Sequence, residues 1–175
     1  MHRARKSGLA LVVAISAIAQ AQTQKRVSPD AYASVPSTIR EELKKRHCEL
    51  PETQHWDQTR LNIVQGQFAG DAQDWAAICI APEGTIRALI FWAEAAPCSS
   101  EITSGWPMKS HFPPGSAGSL YLLRADREQI LSYRKFFADK NKNLVVHDGV
   151  EIGGEEASMI YYCYQGKWLE LTAND

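Results

Sequence analysis

The chain has 175 residues, a formal net charge of −1 at pH 7 and a hydrophobic fraction of 45%. This balance argues against a function that depends on a clustered basic surface, such as nucleic-acid binding or attachment to an anionic membrane. The length suits one domain large enough to bury a core of its own.

The first 21 residues have the three-part pattern of a secretory signal peptide. Three Lys/Arg residues lie among the first six, residues 9–19 are uncharged and mostly apolar, and 19–21 (Ala-Gln-Ala) form a small-x-small cleavage site. We expect cleavage after Ala21 and export to the periplasm or the extracellular space. The alternative is an uncleaved N-terminal anchor. Cleavage would remove those three basic charges and change the net charge from −1 to −4. No second long apolar run follows, so we expect no transmembrane segment in the mature chain.

The four cysteines, Cys48, Cys79, Cys98 and Cys163, all lie after the cleavage site. An even number of cysteines in an exported chain predicts two disulfides. Cys79 lies near the turn of a predicted hairpin, and Cys98 lies beyond its far end, roughly 20 Å away at about 3.3 Å per residue. A disulfide needs Cα atoms within about 7 Å, so the 79–98 pairing is disfavoured. We favour 48–79 with 98–163; the alternative is 48–98 with 79–163.

The segment 22–36 is polar and aperiodic, which predicts a flexible leader. A single α+β domain is expected over 37–175. It begins with a helix, for which Ser37 or Thr38 with Glu41 resembles a capping box. Next come strands from about Leu61, from Asp74 to Ile80, and over 85–92. The last of these is nearly all apolar and should be a central strand buried on both faces.

The second half of the domain starts with a long irregular stretch over 93–118. We then predict a strand over 119–123, a helix over 127–139 capped by Asp126, and short strands over 144–146 and 150–152. The end of the chain predicts a hairpin, 158–164 with 167–171, around Gln165-Gly166. Strands outnumber helices and short turns join most of them, which indicates a mainly antiparallel, disulfide-stapled α+β domain with one sheet and two short helices.

The segment 66–76, GQFAGDAQDWA, resembles a degenerate calcium-binding segment of FG-GAP repeats. In that family, acidic side chains hold calcium between two strands, and calcium takes six to eight oxygen ligands. This sequence has Gln67 where the family has its first acid and Ala69 where it has Asn, so only Asp71 and Asp74 remain as candidate metal ligands. We interpret the segment as a turn stabilised by an Asp side chain and expect no cofactor. A calcium-stabilised structural module is the alternative.

A broader resemblance covers roughly residues 36–175. A short helix ending in Cys, then G-x-F-x-G-x-x-x-D-W-A, then a C-terminal Y-x-G-x-W-L-x-L-x-x-x-D is similar to small exported bacterial proteins of unassigned function. The resemblance implies export and a small domain, and it implies no reaction.

The sequence contains no G-x-S-x-G, H-E-x-x-H, P-loop or G-x-G-x-x-G motif, and we assign no catalytic residue. The alternative is a secreted hydrolase that uses His111, or His147 with Asp148, as an acid–base pair. Trp106, His111 and Phe112 lie in the long loop with no strand around them, and loop aromatics are common anchors of recognition. The sequence therefore predicts a binding domain whose partner is a protein or a cell-envelope ligand.

Overall fold

The structure is a computed structural model that describes residues 26–52, 62–103, 105, 120–136, 145–154 and 157–174. Within these ranges it has ten β-strands, two α-helices and one 3₁₀ helix. In chain order they are β1 (Arg26–Val27), the 3₁₀ helix (Pro29–Ala31), α1 (Ser37–Lys45), β2 (Leu50–Pro51), β3 (Ile63–Gly66), β4 (Asp74–Ile80), β5 (Ile86–Phe91), β6 (Glu101–Ile102), β7 (Tyr121–Ala125), α2 (Arg127–Phe136), β8 (Gly149–Gly153), β9 (Ser158–Tyr164) and β10 (Lys167–Asn174). The predicted α+β class is confirmed.

Eight strands form two antiparallel four-stranded sheets. Sheet 1 has the order β3-β4-β5-β6, sheet 2 has the order β10-β9-β8-β7, and β1 and β2 form a separate ribbon. The predicted antiparallel pairing is confirmed, but the prediction of one sheet is wrong. Turn residues identify each hairpin locally, whereas the division of hairpins between two sheets depends on which faces pack together across the core.

The main hydrophobic core lies between the two sheets. Ile78 of β4 and Ile90 of β5 belong to one buried cluster with Leu122, Ile152 and Tyr161 of sheet 2. All five side chains are at most 3% exposed. Residues two apart on each strand face this core because side chains alternate along a strand.

Helix α1 covers the outer face of sheet 1. Its buried residues Ile39 and Leu43 pack with Ala77, Cys79 and Leu89. Strand β5 lies between β4 and β6 and contributes to the clusters on both of its faces. The prediction of a central strand buried on both faces is therefore confirmed.

The segment before α1 packs against α1 and the outer face of sheet 1. From residue 26 it forms β1 and the 3₁₀ helix, and Tyr32 and Val35 are buried in the same cluster as α1. The predicted flexible leader is wrong from residue 26 onward, because two apolar side chains anchor this polar stretch. Residues 22–25 lie outside the described residues. The predicted capping box is also wrong: Pro36 is the N-cap residue and makes no side-chain cap, while Ser37 and Thr38 lie inside α1.

Helix α2 covers the outer face of sheet 2. Ile130 packs with Val145, Ile160 and Leu171. The predicted cap is confirmed, since Gln129 N donates to Asp126 Oδ1 at 2.8 Å. The helix ends at Phe136, and the last three residues of the predicted span lie outside the described ranges.

The C-terminal hairpin is confirmed. Gln165 and Gly166 both have positive φ, 47° and 79°, as a type I′ turn requires. The hairpin holds the first part of the predicted long loop: Cys98 bonds to Cys163, with Cα atoms 6.1 Å apart. Trp168 Nε1 also donates to the carbonyl of Ser99 at 2.9 Å.

Other strand predictions need correction. Strand β7 continues to Ala125, beyond the predicted span 119–123, and β6 lies within the stretch 93–118 that was predicted to be irregular. Strand β8 spans Gly149–Gly153, two residues more than predicted. Val145 and Val146 belong to no strand, although a strand was predicted over 144–146; residue 144 lies outside the described ranges. The apolar side chain of Val145 packs in the buried cluster beneath α2, and the residue belongs to no strand. Neither α-helix within the described ranges has the length and apolar character needed to cross a bilayer.

Candidate functional site

His147 and Asp148 were the sequence-based candidates for acid–base chemistry. Asp148 Oδ2 accepts a hydrogen bond from Gln67 N at 2.9 Å, and Asp148 N donates to Gln67 O at 3.0 Å. Arg124 Nε lies 3.8 Å from the same carboxylate. These contacts join the β3–β4 loop to the segment before β8. No hydrogen bond within the described residues joins His147 to Asp148, so the geometry does not favour a catalytic pair.

Asp71 and Asp74 were the candidate calcium ligands. Asp74 is 3% exposed, and its two carboxylate oxygens accept hydrogen bonds from Phe68 N at 3.2 Å and Ala93 N at 2.9 Å. Asp71 is exposed and uses its backbone carbonyl to accept from Gln67 Nε2. The predicted Asp-stabilised turn is thus confirmed at Asp74. Within the described ranges, no three His, Cys, Asp or Glu side chains form a metal-binding group. Calcium binding stays a prediction.

The predicted binding residues Trp106, His111 and Phe112 lie outside the described residues. The chain before them is anchored at Gly105, which has a φ of +87°. A β-carbon there would lie 2.5 Å from Tyr161 Oη, so only glycine fits.

A buried carboxylate lies on the outer face of sheet 2. Glu151 is 5% exposed and accepts hydrogen bonds from Tyr121 Oη at 3.3 Å and Gln129 Nε2 at 3.0 Å. Burial, more than its neighbours, raises the pKa of Tyr121. The two hydrogen bonds join Glu151 of β8 to Tyr121 of β7 and to Gln129 of α2.

Three neighbouring depressions lie beside the end of α1, and together we call them the α1 groove. The first has a volume of about 560 Å³ and lies between the β1 end and the end of α1. The second, about 350 Å³, shares His47, Cys48 and Pro82 with the first. The third, also about 350 Å³, shares Arg46 and Leu89 with the second. The second and third depressions thus lie beside β5, whereas the first lies beside β1 and the end of α1.

The sequence at the end of α1 creates this groove. His47 has a φ of +54°, so the backbone turns sharply just after the helix. Cys48 N then donates to Leu43 O at 3.0 Å, and the Cys48–Cys79 disulfide ties the turn to β4 with Cα atoms 5.0 Å apart. Next, Glu49 pairs with Ile80 as an isolated β-bridge. The Cys48–Cys79 disulfide and the Glu49–Ile80 bridge therefore hold the end of α1 against β4.

Ion pairs between arginine and glutamate side chains line the groove. Arg26 pairs with Glu49 at 3.0 Å, and Arg87 Nη2 lies 3.9 Å from Glu83. Arg46 bridges α1 and β6: its Nε contacts Glu42 at 2.8 Å and its Nη1 contacts Glu101.

The same contacts shift two pKa values. The hydrogen bond from Arg46 holds the pKa of Glu42 below its ordinary value, and its bond to Glu42 raises the pKa of Arg46. Both groups therefore remain charged across the physiological pH range.

Sequence reasoning missed the groove. The basic end of α1 was interpreted as a solvated terminus whose positive charges complement the helix dipole. The charged residues of β5 and β6 were not predicted to belong to a site. The available signal was the favoured Cys48–Cys79 pairing. It places the charged residues before Cys48 beside β4 and hence beside the neighbouring strand.

The chain was compared with known proteins. No family model, no curated protein and no solved structure matches it.

Proposed function

We propose that this protein is an exported binding domain that takes a polypeptide segment in the α1 groove. The observation that supports the proposal is a set of three neighbouring depressions beside the end of α1, each of which shares lining residues with the next. An extended chain can contact several neighbouring depressions at once better than a compact molecule can. Small-molecule sites are usually concave cavities that enclose most of the ligand.

The lining supports a polypeptide over other partners. Each depression contains at least one carboxylate, namely Glu49, Glu83 or Glu42 in turn, and carboxylates repel the phosphates of nucleic acids or anionic lipids. The same groove holds arginines and the apolar side chains of Leu89 and Phe91. A polypeptide can offer charges of both signs and apolar side chains together, so it complements this mixed surface.

Export is part of the proposal. The signal-like N-terminus supports it, and so do the two disulfides, which form and persist in oxidising compartments. The predicted loop residues Trp106, His111 and Phe112 remain a second candidate binding face, which the described contacts do not address. The described contacts of Asp148 do not support the hydrolase alternative, and those of Asp74 do not support the calcium alternative.

The test is a selection of binders from a bead-bound library of nine-residue peptides, followed by Kd measurement. Arg87→Glu reverses a half-exposed charge in the groove. The matched control, Lys135→Glu, reverses an exposed charge on α2, which packs on the opposite side of the molecule. We expect Arg87→Glu to weaken binding roughly tenfold, equivalent to about 1.4 kcal/mol, and the control to leave Kd unchanged.

Two results would contradict the proposal. One is a library that yields no binder. The other is a binder whose affinity is insensitive to Arg87→Glu but is lost in a Trp106→Ala/Phe112→Ala variant, which would move the site to the loop.

A further inference from the structure

The first depression of the α1 groove has a positive net charge. Arg26 and Lys44 line it together with one carboxylate, that of Glu49, so the formal charge of its lining is +1. The ion-pair partners outside the lining do not change this sum, because Asp30 lies 3.0 Å from Lys44 and 4.0 Å from a further cation, Arg40. The side chain of Arg26 is only 7% exposed and pairs with Glu49 at 3.0 Å, so part of this charge is fixed in the wall. The first depression therefore favours an anionic group.

The third depression has the opposite charge. Glu42 and Glu94 line it together with one cation, Arg46, so the formal charge of its lining is −1. The partners outside this lining cancel as well, since Lys45 lies 3.9 Å from Glu42 and Glu101 pairs with Arg46. Glu94 is exposed, and no ion pair between described residues includes it. Its carboxylate is therefore available to a cation that enters the depression.

The second depression is neutral and lies between the other two, because it shares lining residues with both of them. Two arginines, Arg46 and Arg87, line it together with two carboxylates, those of Glu83 and Glu101. His47 is counted as neutral in these sums. Protonation of His47, which lines the first and second depressions, would enlarge their difference from the third. The formal charge thus changes from +1 through 0 to −1 along the groove.

Aromatic side chains border the negative depression. Phe91 and Trp92 line it and are half-buried, and Trp92 is stacked on Trp168 with ring centroids 5.9 Å apart. The face of an aromatic ring attracts a cation. A lysine or arginine side chain can therefore contact a ring in this depression while its charge lies beside Glu94. The described lining of the first depression has no aromatic side chain, so this second source of attraction for a cation exists only at the negative end.

We propose that the α1 groove selects polypeptide segments that have an acidic side chain towards one end and a basic side chain towards the other. The acidic side chain lies in the first depression, the basic side chain lies in the third, and the residues between them lie across the neutral second depression. This inference rests on the proposed function, since it names the charge pattern of the polypeptide that the groove takes. A segment with like charges at both ends places one of them in a depression of its own sign, which lowers its affinity.

The test compares three sets of nine-residue peptides that bind the full mature chain. All peptides have blocked ends, and the positions other than the second and the eighth are random among uncharged residues. The first set has Glu and Lys at those two positions, in either order; the second set has Glu at both, and the third has Lys at both. Each selected binder is remade with the end charges of the other sets, so that only the charges differ when Kd is measured. We expect the Glu/Lys form to bind about tenfold more tightly than either like-charged form.

A charge reversal in the protein locates the basic side chain. Glu94→Lys should weaken binding of a Glu/Lys peptide about tenfold, and replacing the lysine of the peptide by glutamate should restore the affinity for this variant. Lys135→Glu reverses an exposed charge on α2 and is the matched control, for which Kd should not change. Insensitivity of the Glu/Lys peptide to Glu94→Lys, or failure of the peptide's glutamate to restore binding, would overturn the inference.

The outcomes distinguish this inference from the proposed function. Equal affinity of the three charge forms would overturn the charge pattern and leave the groove as a polypeptide site. Tightest binding of the Lys/Lys form would also overturn it, because that ranking reflects attraction to a chain of negative net charge. Absence of a binder in all three sets would overturn the proposed function and the charge pattern together.

Discussion

Replacing Asp74 by Ala should destabilise the protein more than most single substitutions on its surface. The carboxylate of Asp74 is 3% exposed and accepts two backbone hydrogen bonds, one from Phe68 N and one from Ala93 N. The first bond is buried and the second is half-buried. A hydrogen bond to a charged group contributes about 1.5–3 kcal/mol when buried and less when water can replace it. We therefore expect Asp74→Ala to lower the free energy of unfolding by about 3 kcal/mol.

Asp71 supplies the matched control. Its side chain is exposed, and the contact described for this residue uses its backbone carbonyl, which Ala retains. Asp71→Ala should change the free energy of unfolding by less than about 0.5 kcal/mol. Thermal unfolding is the assay, and the loss predicted for Asp74→Ala corresponds to a Tm roughly 6–12 °C lower for a chain of this size. Each melt is repeated with calcium and with a chelator.

The melts of the wild type, Asp74→Ala and Asp71→Ala with calcium and with chelator separate the two interpretations of this segment. A structural turn predicts a large effect of Asp74→Ala, a negligible effect of Asp71→Ala, and no dependence on calcium. If both substitutions lower Tm by similar amounts and chelator lowers the Tm of the wild type, the aspartates bind calcium and the structural reasoning is wrong.

Three further predictions concern stability. Replacing Cys98 and Cys163 by Ala opens a loop whose ends are 65 residues apart, so the free energy of unfolding in urea should fall by about 4 kcal/mol; a loss below about 1 kcal/mol would contradict this. Burial, and secondarily the nearby carboxylate of Glu170, raises the pKa of Tyr161 above its ordinary value of 10.0. The folded state thus retains the proton that the unfolded state releases, so stability should be complete below about pH 10 and fall above it. Tyr161→Phe should make that fall smaller in urea midpoints measured from pH 8 to 11, and an equal fall in both proteins would refute the reasoning. Gly153→Ala should cost about 2 kcal/mol, since its β-carbon would lie 2.2 Å from a tyrosine ring, whereas Gly70→Ala meets nothing within 4 Å; equal melting of the two variants would contradict the packing argument.

Local chemistry explains which parts of the fold were predictable. The C-terminal hairpin follows from Gln165-Gly166 between two apolar runs, and the start of α2 follows from the acceptor side chain of Asp126. The favoured disulfide pairing, 48–79 with 98–163, is confirmed, but the length of the strand hairpin disfavoured only the 79–98 pairing and did not decide between the other two. Each of these depends on residues close in sequence or on the fixed rise of a strand.

Other features depend on contacts that are distant in sequence. Tyr32 and Val35 anchor the segment before α1 only because the outer face of sheet 1 offers an apolar surface. Asp148 received a catalytic interpretation because His147 precedes it, while its actual partner, Gln67, lies 81 residues away. The α1 groove was likewise invisible, since Arg46 and Glu101 are 55 residues apart. Composition and periodicity do not reveal such pairs, because they describe only residues that are close in sequence.

Binding of a polypeptide in the α1 groove can be followed residue by residue in ¹⁵N–¹H spectra of the labelled protein while a selected nine-residue peptide is added. We expect the shifts to concentrate at Arg46, His47, Arg87 and Glu101 and to leave α2 unchanged. Shifts concentrated at residues 104–119 instead, with the groove silent, would contradict it.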